Sequence, residues 1–278
     1  MPEPSIPFEG SVWRSGEVPV ADQFDSVYGP HPHADRLAMP PAVAAHALTR
    51  YTRRGDLVLD PDCGAGTTLT EALRAGRHTV GATADRRWWE IARASVTAAK
   101  RAGAIGDGTV LAGRPSVLAG PAGVGLLGRV TLVLTTIRSH PGPDWRSTTA
   151  VDNLADTLSH CLPLLRPGGH LVITARPRHV AGELVDLPGL ILAAGRVVGL
   201  RPAHRRAALI ARTTPKRITP DSRTRRGRRP VPPVMRVAHH DVVVLRAPDL
   251  PAAVAVPLPD RLLAVQANLE TELFARAA

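Results

Sequence analysis

The sequence predicts an α/β protein with a Rossmann-like, mostly parallel central sheet, helices on both faces and an antiparallel hairpin of strands at one edge. Short aliphatic runs, typical of buried strands, alternate with longer segments of helical periodicity. A glycine-containing loop at 60–68 joins the first of these strands to a helix. Two apolar runs near the C-terminal end suit a closing antiparallel pair.

The predicted elements follow from local signals in chain order. The helix before the glycine loop begins at a pair of prolines, and Gly76 ends the helix after the loop. Leu154, Leu158 and Leu162 lie at four-residue spacing, which predicts one apolar helix face. Strands are predicted at 56–60, 78–83, 109–111, 130–135, 170–175, 205–211 and 241–246. Helices are predicted at 40–51, 67–75, 86–102, 151–165 and 182–195.

The organisation along the chain is one main domain with flanking segments. Residues 1–39 are rich in proline and polar residues and predict an irregular N-terminal arm. The main domain is predicted over 40–250, with a mobile basic loop at 213–233 that is too charged and too rich in proline to pack. Residues 251–278 are predicted to form a helical C-terminal extension.

Composition restricts the possible partners. Of the residues 44% are hydrophobic but only 3% aromatic, so the core must be aliphatic. The formal charge of +11 favours polyanionic partners, with nucleic acid first. A genome of high G+C content would produce similar usage of Ala, Arg, Gly and Pro, and composition alone leaves both interpretations open.

The cysteines and the apolar runs indicate the compartment. Cys63 and Cys161 lie far apart, without metal-ligand spacing, so we predict no metal site and no disulfide framework. The first ten residues lack the apolar run of a signal peptide, and no stretch approaches the roughly 18 apolar residues that span a membrane. We therefore expect a soluble, cytoplasmic protein in a reducing compartment.

The glycine loop at 60–68 has the context that a cofactor loop needs. Gly64 and Gly66 allow a tight turn and a close ligand approach, while the following helix offers unpaired N–H donors. On spacing alone, an ordinary strand-to-helix turn explains the two glycines equally well.

The surrounding residues carry a more specific resemblance. The segment GDLVLDPDCGAGTTLTEALRAGRHTVGATADRRWWEIARASV at 55–96 resembles the cofactor-binding half of S-adenosylmethionine (SAM)-dependent DNA methyltransferases that modify exocyclic amines of adenine or cytosine. The stretch at 31–52 is similar to that family's lead-in, and the last two predicted strands resemble its terminal strands. The resemblance implies the class I methyltransferase fold.

The resemblance also implies a SAM site. Its predicted contacts are Asp60, Cys63, Gly64, Gly66, Thr67, Thr68, Asp85 and Trp88. Cys63 would be only a small loop residue, and the two threonine hydroxyls would cap the helix or contact the cofactor carboxylate. The family's ribose-binding acid is replaced by Thr83, which leaves Asp85 as a substitute. Trp88 would flank the adenine or pack the helix on the sheet, and packing is favoured for Trp89.

The catalytic region departs from the family pattern. After the strand at 130–135 the family has Asp, Asn or Ser followed by Pro-Pro and an aromatic residue, which hold the target amine and stack the flipped base. Here the chain continues Thr135-Thr136-Ile137-Arg138-Ser139-His140. Thr136 supplies an oxygen and is the predicted catalytic residue, with His140 and Trp145 close by in sequence. Cys161 lies inside a predicted helix, which argues against methylation at carbon-5 of cytosine.

A basic segment at 214–230 is the predicted nucleic-acid contact. It carries seven cationic residues against one acid: Lys216, Arg217, Arg223, Arg225, Arg226, Arg228 and Arg229. Such a segment suits phosphate contacts of low sequence specificity. The alternative is a solvated charged run without a ligand.

These features predict a SAM-dependent methyltransferase that acts on nucleic acid, with DNA favoured over RNA as the substrate. The altered catalytic motif keeps a second hypothesis open, namely an inactive relative that acts as a DNA-binding or regulatory protein. Small-molecule methylation is a third, but it leaves the basic segment unexplained.

Overall fold

A computed structural model of the chain describes residues 10–24, 28, 35, 37–138, 148–180, 182–214, 217–220 and 237–249. Its strands are β1 (Val12–Trp13), β2 (Leu57–Asp60), β3 (His78–Thr83), β4 (Gly108–Ala112), β5 (Val130–Thr136), β6 (Leu165–Ala175), β7 (His179–Val180), β8 (Glu183–Leu184), β9 (Arg201–Leu209), β10 (Ala211–Thr214), β11 (Arg217–Pro220) and β12 (His239–Arg246). Its α-helices are α1 (Pro41–Tyr51), α2 (Thr67–Arg74), α3 (Arg86–Arg101), α4 (Pro121–Val124), α5 (Thr148–Cys161) and α6 (Leu187–Val197).

The main sheet has the strand order β1-β9-β12-β6-β5-β2-β3-β4. The strands from β4 to β6 are parallel, whereas β12 is antiparallel to both β6 and β9. This confirms the predicted mostly parallel sheet with an antiparallel pair near one edge. The short β1 pairs with the outer side of β9, so the prediction of a wholly irregular arm is wrong for Val12–Trp13.

The chain order places a crevice at the carboxyl end of β2. From β2 the chain builds β3 and β4 on one side and then crosses to β5 on the other. Loops that leave two neighbouring parallel strands in opposite directions open a crevice between them, which is where ligands of such sheets bind. The residues that end β2 and β5 therefore lie in the position expected of a functional site.

Aliphatic side chains fill both faces of the sheet, as predicted from the low aromatic content. On one face Leu158 of α5 and Ile191 of α6 lie in a cluster with Leu171 of β6. On the other, Val43 of α1 lies with Val172 of β6 and with Trp13, which is only 1% exposed. The N-terminal arm thus contributes a buried indole to the core.

Several predicted bounds differ from the structure: α5 begins and ends earlier than 151–165, and β6 and β9 begin before 170 and 205. Helix α6 begins at Leu187 rather than 182, because the Asp186 carboxylate caps it and accepts a hydrogen bond from the Gly189 N–H at 2.9 Å. The loop predicted at 213–233 is not wholly irregular, since β10 and β11 form an antiparallel hairpin within 211–220. The predicted C-terminal extension at 251–278 lies outside the described residues.

The described ranges lack two kinds of feature. No helix there has the length and apolar character needed to cross a bilayer. Nor does this part of the chain bring together three His, Cys, Asp or Glu side chains that suit a metal ion.

Candidate active site

The carboxyl ends of the two central strands are joined through side chains. The Thr135 hydroxyl, on β5, donates to Asp60 Oδ1, on β2, at 2.8 Å, and the Asp62 N–H donates to the same oxygen at 3.2 Å. Asp60 is only 4% exposed. Burial raises its pKa from 3.8 to about 6, although hydrogen bonds from the hydroxyls of Thr68 and Thr135 act in the opposite direction. The site therefore begins with a buried carboxylate.

The two loop glycines have different structural roles. Both have left-handed backbone angles, with φ of +50° at Gly64 and +85° at Gly66. The Gly66 N–H donates to the Cys63 carbonyl at 2.8 Å, and a Cβ on Gly66 would lie 3.1 Å from Ala92 Cα of α3. Gly66 thus allows the loop to pack against α3, a role that the sequence did not reveal. Its contact with a cofactor stays a prediction.

An ion pair covers the other glycine. A Cβ on Gly64 would overlap the Arg138 guanidinium and the Asp35 carboxylate. These two groups form a bidentate pair, with Arg138 Nη1 at 2.7 Å from Asp35 Oδ2 and Nη2 at 3.0 Å from Oδ1. Their side chains are 10% and 2% exposed. The ion pair is therefore almost completely excluded from solvent and lies directly on the loop.

Further contacts hold this pair in place. Asp35 Oδ2 also accepts from the Ala65 N–H at 3.1 Å, and Arg138 Nε lies 3.7 Å from Asp62 Oδ1. Burial would lower the pKa of Arg138, but the hydrogen bonds and charge of Asp35 outweigh it, so the pKa is raised. Sequence analysis missed both members. The available signal was that Arg138 lies two residues after β5, where the family has its catalytic tetrapeptide.

The predicted loop residues Cys63, Thr67 and Thr68 are all buried. Cys63 lies in an apolar cluster with Leu69 and Ala92, between α2 and α3, and burial raises its thiol pKa well above the ordinary value. Its side chain is therefore a core group, as expected of a small loop residue. Thr67 Oγ1 has no hydrogen-bond partner among the described residues.

The two tryptophans of α3 have different surroundings. The half-buried Trp88 ring lies beside the site, with Arg138 Cζ 5.8 Å from its centroid. The Trp89 Nε1–H donates to the Val110 carbonyl of β4 at 3.0 Å, and Arg93 Cζ lies 4.6 Å from the ring centroid. The structure thus shows Trp89 packing its helix on the sheet.

Asp85 is the N-cap of α3. Its Oδ1 accepts from the N–H groups of Arg87 at 2.8 Å and Trp88 at 3.3 Å. Capping explains this exposed residue without any ligand. The contact with a ribose therefore stays a prediction.

Thr136, the predicted catalytic residue, ends β5 and is half-buried. Its hydroxyl donates to the Thr174 carbonyl of β6 at 3.1 Å, and the oxygen retains lone pairs that can accept another hydrogen bond. Cys161 is completely buried, and desolvation raises its thiol pKa to about 12, which rules it out as a nucleophile. His140 and Trp145 lie outside the described residues.

The basic segment is joined to the sheet at the same edge as Asp60. Strand β12 is antiparallel to β6 and pairs its Asp241 with Ala175, the last residue of β6. The chain therefore enters β12 at the carboxyl edge of the parallel strands. Arg217 lies in β11, and the predicted contacts outside the described residues are Lys216, Arg223, Arg225, Arg226, Arg228 and Arg229.

The strand order β4-β3-β2-β5-β6, followed by the antiparallel β12 and then β9, defines with the glycine loop after β2 a class I methyltransferase fold. Within this fold, residues 8–94 match the family model of DNA methylases, N6_N4_Mtase. The match covers less than half of the chain and includes the glycine loop. It supports the resemblance predicted from the segment at 55–96.

Solved structures of similar shape include several methyltransferases. TrmN from Thermus thermophilus is 19% identical, with a TM-score of 0.49 over 76% of this chain and 50% of its own, so this chain spans half of that protein. The 1,6-didemethyltoxoflavin-N1-methyltransferase of Burkholderia thailandensis is 19% identical, with a TM-score of 0.48 over 79% of this chain and 82% of its own. Magnesium protoporphyrin IX methyltransferase from Synechocystis PCC 6803 is 14% identical, with a TM-score of 0.47 over 74% and 76%.

Proposed function

We propose that this chain is a SAM-dependent methyltransferase that acts on nucleic acid, with DNA as its main substrate. The observation that carries the proposal is the position of the glycine loop. It leaves β2 at the central crevice, beside the buried Asp60 and the Trp88 ring, at the sheet edge from which the chain also enters β12.

The residues around the loop fit SAM. Gly64 presents bare backbone on the side that the Asp35–Arg138 pair covers, and Asp60 supplies a buried carboxylate suited to an ammonium group. The Thr67 hydroxyl is buried at the start of α2 without a hydrogen-bond partner in the described structure, as expected of a group reserved for a ligand. Trp88 would flank an aromatic ring. When bound, SAM supplies an electrophilic methyl group.

The chain's own residues then hold the acceptor. An amine that attacks a methyl group must be aligned with it and must lose a proton. The Thr136 oxygen, at the end of β5, would accept a hydrogen bond from such an amine. The cationic residues at 214–230 would bind backbone phosphates. DNA is preferred to RNA because the matching family model describes DNA methylases.

The test combines binding with methyl transfer. Calorimetric titration with SAM should show saturable binding, and labelled SAM should transfer its methyl group to duplex DNA more than to RNA of the same sequence. Methyl transfer to RNA alone would show that the substrate is RNA and not DNA. If the protein shows no binding at millimolar SAM, the proposed enzymatic activity is contradicted.

A second candidate is an inactive relative that binds nucleic acid. The Asp35–Arg138 pair over Gly64 and the use of Asp85 as a helix cap favour it, because both engage groups that a cofactor would need. Nucleic-acid binding without any SAM binding would identify this function.

A further inference from the structure

We propose that Asp35 and Arg138 form a latch on the glycine loop, in which Asp35 holds the position of the carboxylate of SAM and Arg138 binds that carboxylate when Asp35 releases it. The inference rests on the proposed function and assigns a ligand subsite within it. It concerns the amino-acid end of the cofactor, not its methyl group.

The first step is that Asp35 behaves as a ligand of the loop. One oxygen, Oδ2, accepts both from the Ala65 N–H at 3.1 Å and from Arg138 Nη1 at 2.7 Å. The carboxylate thus lies between a loop amide just before α2 and a guanidinium. These are the donors that the α-carboxylate of an amino acid would need.

The second step is that the latch must open before a ligand reaches the loop. The Arg138 guanidinium and Asp35 Oδ2 fill the space that a Cβ on Gly64 would occupy. A ligand that approaches the Gly64 backbone must therefore displace at least one of them. We take Asp35 as the member that leaves, because its negative charge competes with the carboxylate of SAM for Arg138. Its release breaks the hydrogen bonds that its Oδ1 and Oδ2 accept from the N–H groups of Leu37 and Ala65, both at 3.1 Å.

The third step is that Arg138 needs a replacement anion. With Asp35 gone, the carboxylate of Asp62 is the remaining ion-pair partner of Arg138 among the described residues, with Oδ1 at 3.7 Å from Nε, and the Trp88 ring is 5.8 Å away. A guanidinium that is only 10% exposed is costly to leave without a well-placed anion. Exchange of one carboxylate for another avoids this cost. The latch therefore favours ligands that carry the intact amino-acid end.

The test compares two probes on the full chain by calorimetry. S-adenosylhomocysteine carries the carboxylate, whereas 5′-methylthioadenosine lacks the amino-acid end. Asp35→Asn keeps the shape but removes the competing charge, and we expect about tenfold tighter binding of S-adenosylhomocysteine. Arg138→Gln should weaken that binding about tenfold, with Arg138→Lys between the two, because Lys cannot form the bidentate pair. Binding of 5′-methylthioadenosine should change less than about threefold.

A matched control and the melting temperature separate the latch from a structural brace. Glu90→Gln breaks the exposed Arg86–Glu90 pair and should change neither affinity. Weaker binding of S-adenosylhomocysteine by Asp35→Asn would overturn the latch. The latch would also be overturned if the Asp35 and Arg138 variants lost affinity for both probes equally and melted at a lower temperature.

The same titrations keep the two proposals apart. If the wild type binds S-adenosylhomocysteine and neither variant changes its affinity, the latch fails but the cofactor site stands. If only Asp35→Asn binds S-adenosylhomocysteine, the latch is supported, and Asp35 keeps the cofactor site closed in the wild type. If no variant binds either probe, the proposed function fails and the latch fails with it.

Discussion

Thr135 and Asp60 join the two central strands of the sheet, because the threonine hydroxyl donates to the buried carboxylate at 2.8 Å. The next hydroxyl along β5, that of Thr136, donates to the Thr174 carbonyl of β6 instead. Successive residues of a strand point to opposite faces, so the two neighbouring threonines serve different groups. Thr135 is hydrogen-bonded to the residue that begins the glycine loop, and Thr136 is hydrogen-bonded to β6 at the carboxyl end of β5.

The raised pKa of Asp60 predicts a pH-dependent stability. The folded pKa of about 6 exceeds the ordinary 3.8, so between these values the folded protein binds more protons than the unfolded chain. The free energy of unfolding therefore falls as pH rises through this window, by about 3 kcal/mol in total. Asp60→Asn should raise the melting temperature at pH 7.5 and have little effect below about pH 4. A variant that melts below the wild type at pH 7.5 would show that the ionised carboxylate stabilises the fold.

The sequence predicted the architecture because strand and helix periodicities are local. The glycine loop, α1, α3 and the parallel strands were all visible in short windows. The two-residue β1 was not, since its pairing with β9 depends on residues almost 200 positions away. The β10–β11 hairpin was hidden by a charged sequence that resembles a loop.

The candidate site was predictable only in part. Asp60 and the two glycines follow from the strand-loop-helix order. Asp35 and Arg138 are 103 residues apart, and their pairing depends on side-chain geometry over Gly64 that no short pattern encodes.

The two threonines of β5 can be separated by matched isosteric variants. Thr136→Val removes an oxygen that we propose accepts from the target amine, so it should lower methyl transfer at least about tenfold with little change in SAM affinity. Thr135→Val removes a donor to Asp60 and should weaken SAM binding itself. Labelled-methyl assays and calorimetry measure the two effects. Equal loss of turnover and affinity in Thr136→Val would argue against its catalytic role.

Gly66 is predicted to be a packing position. Gly66→Ala places a Cβ 3.1 Å from Ala92 Cα, at a φ of +85° that disfavours any side chain. Gly55 has a similar φ of +83° but nothing within 4 Å, so Gly55→Ala measures the backbone strain alone, about 1 kcal/mol. Denaturant unfolding should show a larger loss for Gly66→Ala, by roughly 1–3 kcal/mol. Equal losses would show that α3 moves aside at no cost.

The adjacent tryptophans should respond differently to the same truncation. Trp88→Ala should weaken SAM binding about tenfold with a small change in melting temperature, because the ring lies at the site edge beside Arg138. Trp89→Ala removes the hydrogen bond to the Val110 carbonyl and should lower the melting temperature clearly. Thermal unfolding and calorimetry on both variants provide the comparison. If Trp89→Ala alone loses SAM binding and keeps the wild-type melting temperature, then Trp89 rather than Trp88 contacts the cofactor.

The basic segment is predicted to set the salt dependence of nucleic-acid binding. Phosphate contacts release counterions, so each lost contact lowers the slope of log affinity against log salt by about one unit. The test variant replaces four clustered arginines with glutamine: Arg225, Arg226, Arg228 and Arg229. Its affinity for duplex DNA should fall most at low salt, and its slope should be flatter by up to about four units. Fluorescence anisotropy over a salt series measures both.

A control of equal charge is available at the opposite edge of the sheet. Four exposed arginines flank the amino ends of the strands or the end of α3: Arg53, Arg54, Arg101 and Arg129. Their replacement with glutamine removes the same net charge, so it reproduces any general loss of attraction to DNA but removes no contact at the carboxyl edge. The control variant should therefore keep the wild-type slope. Equal flattening in both variants would mean that net charge, rather than a phosphate contact at 214–230, controls binding.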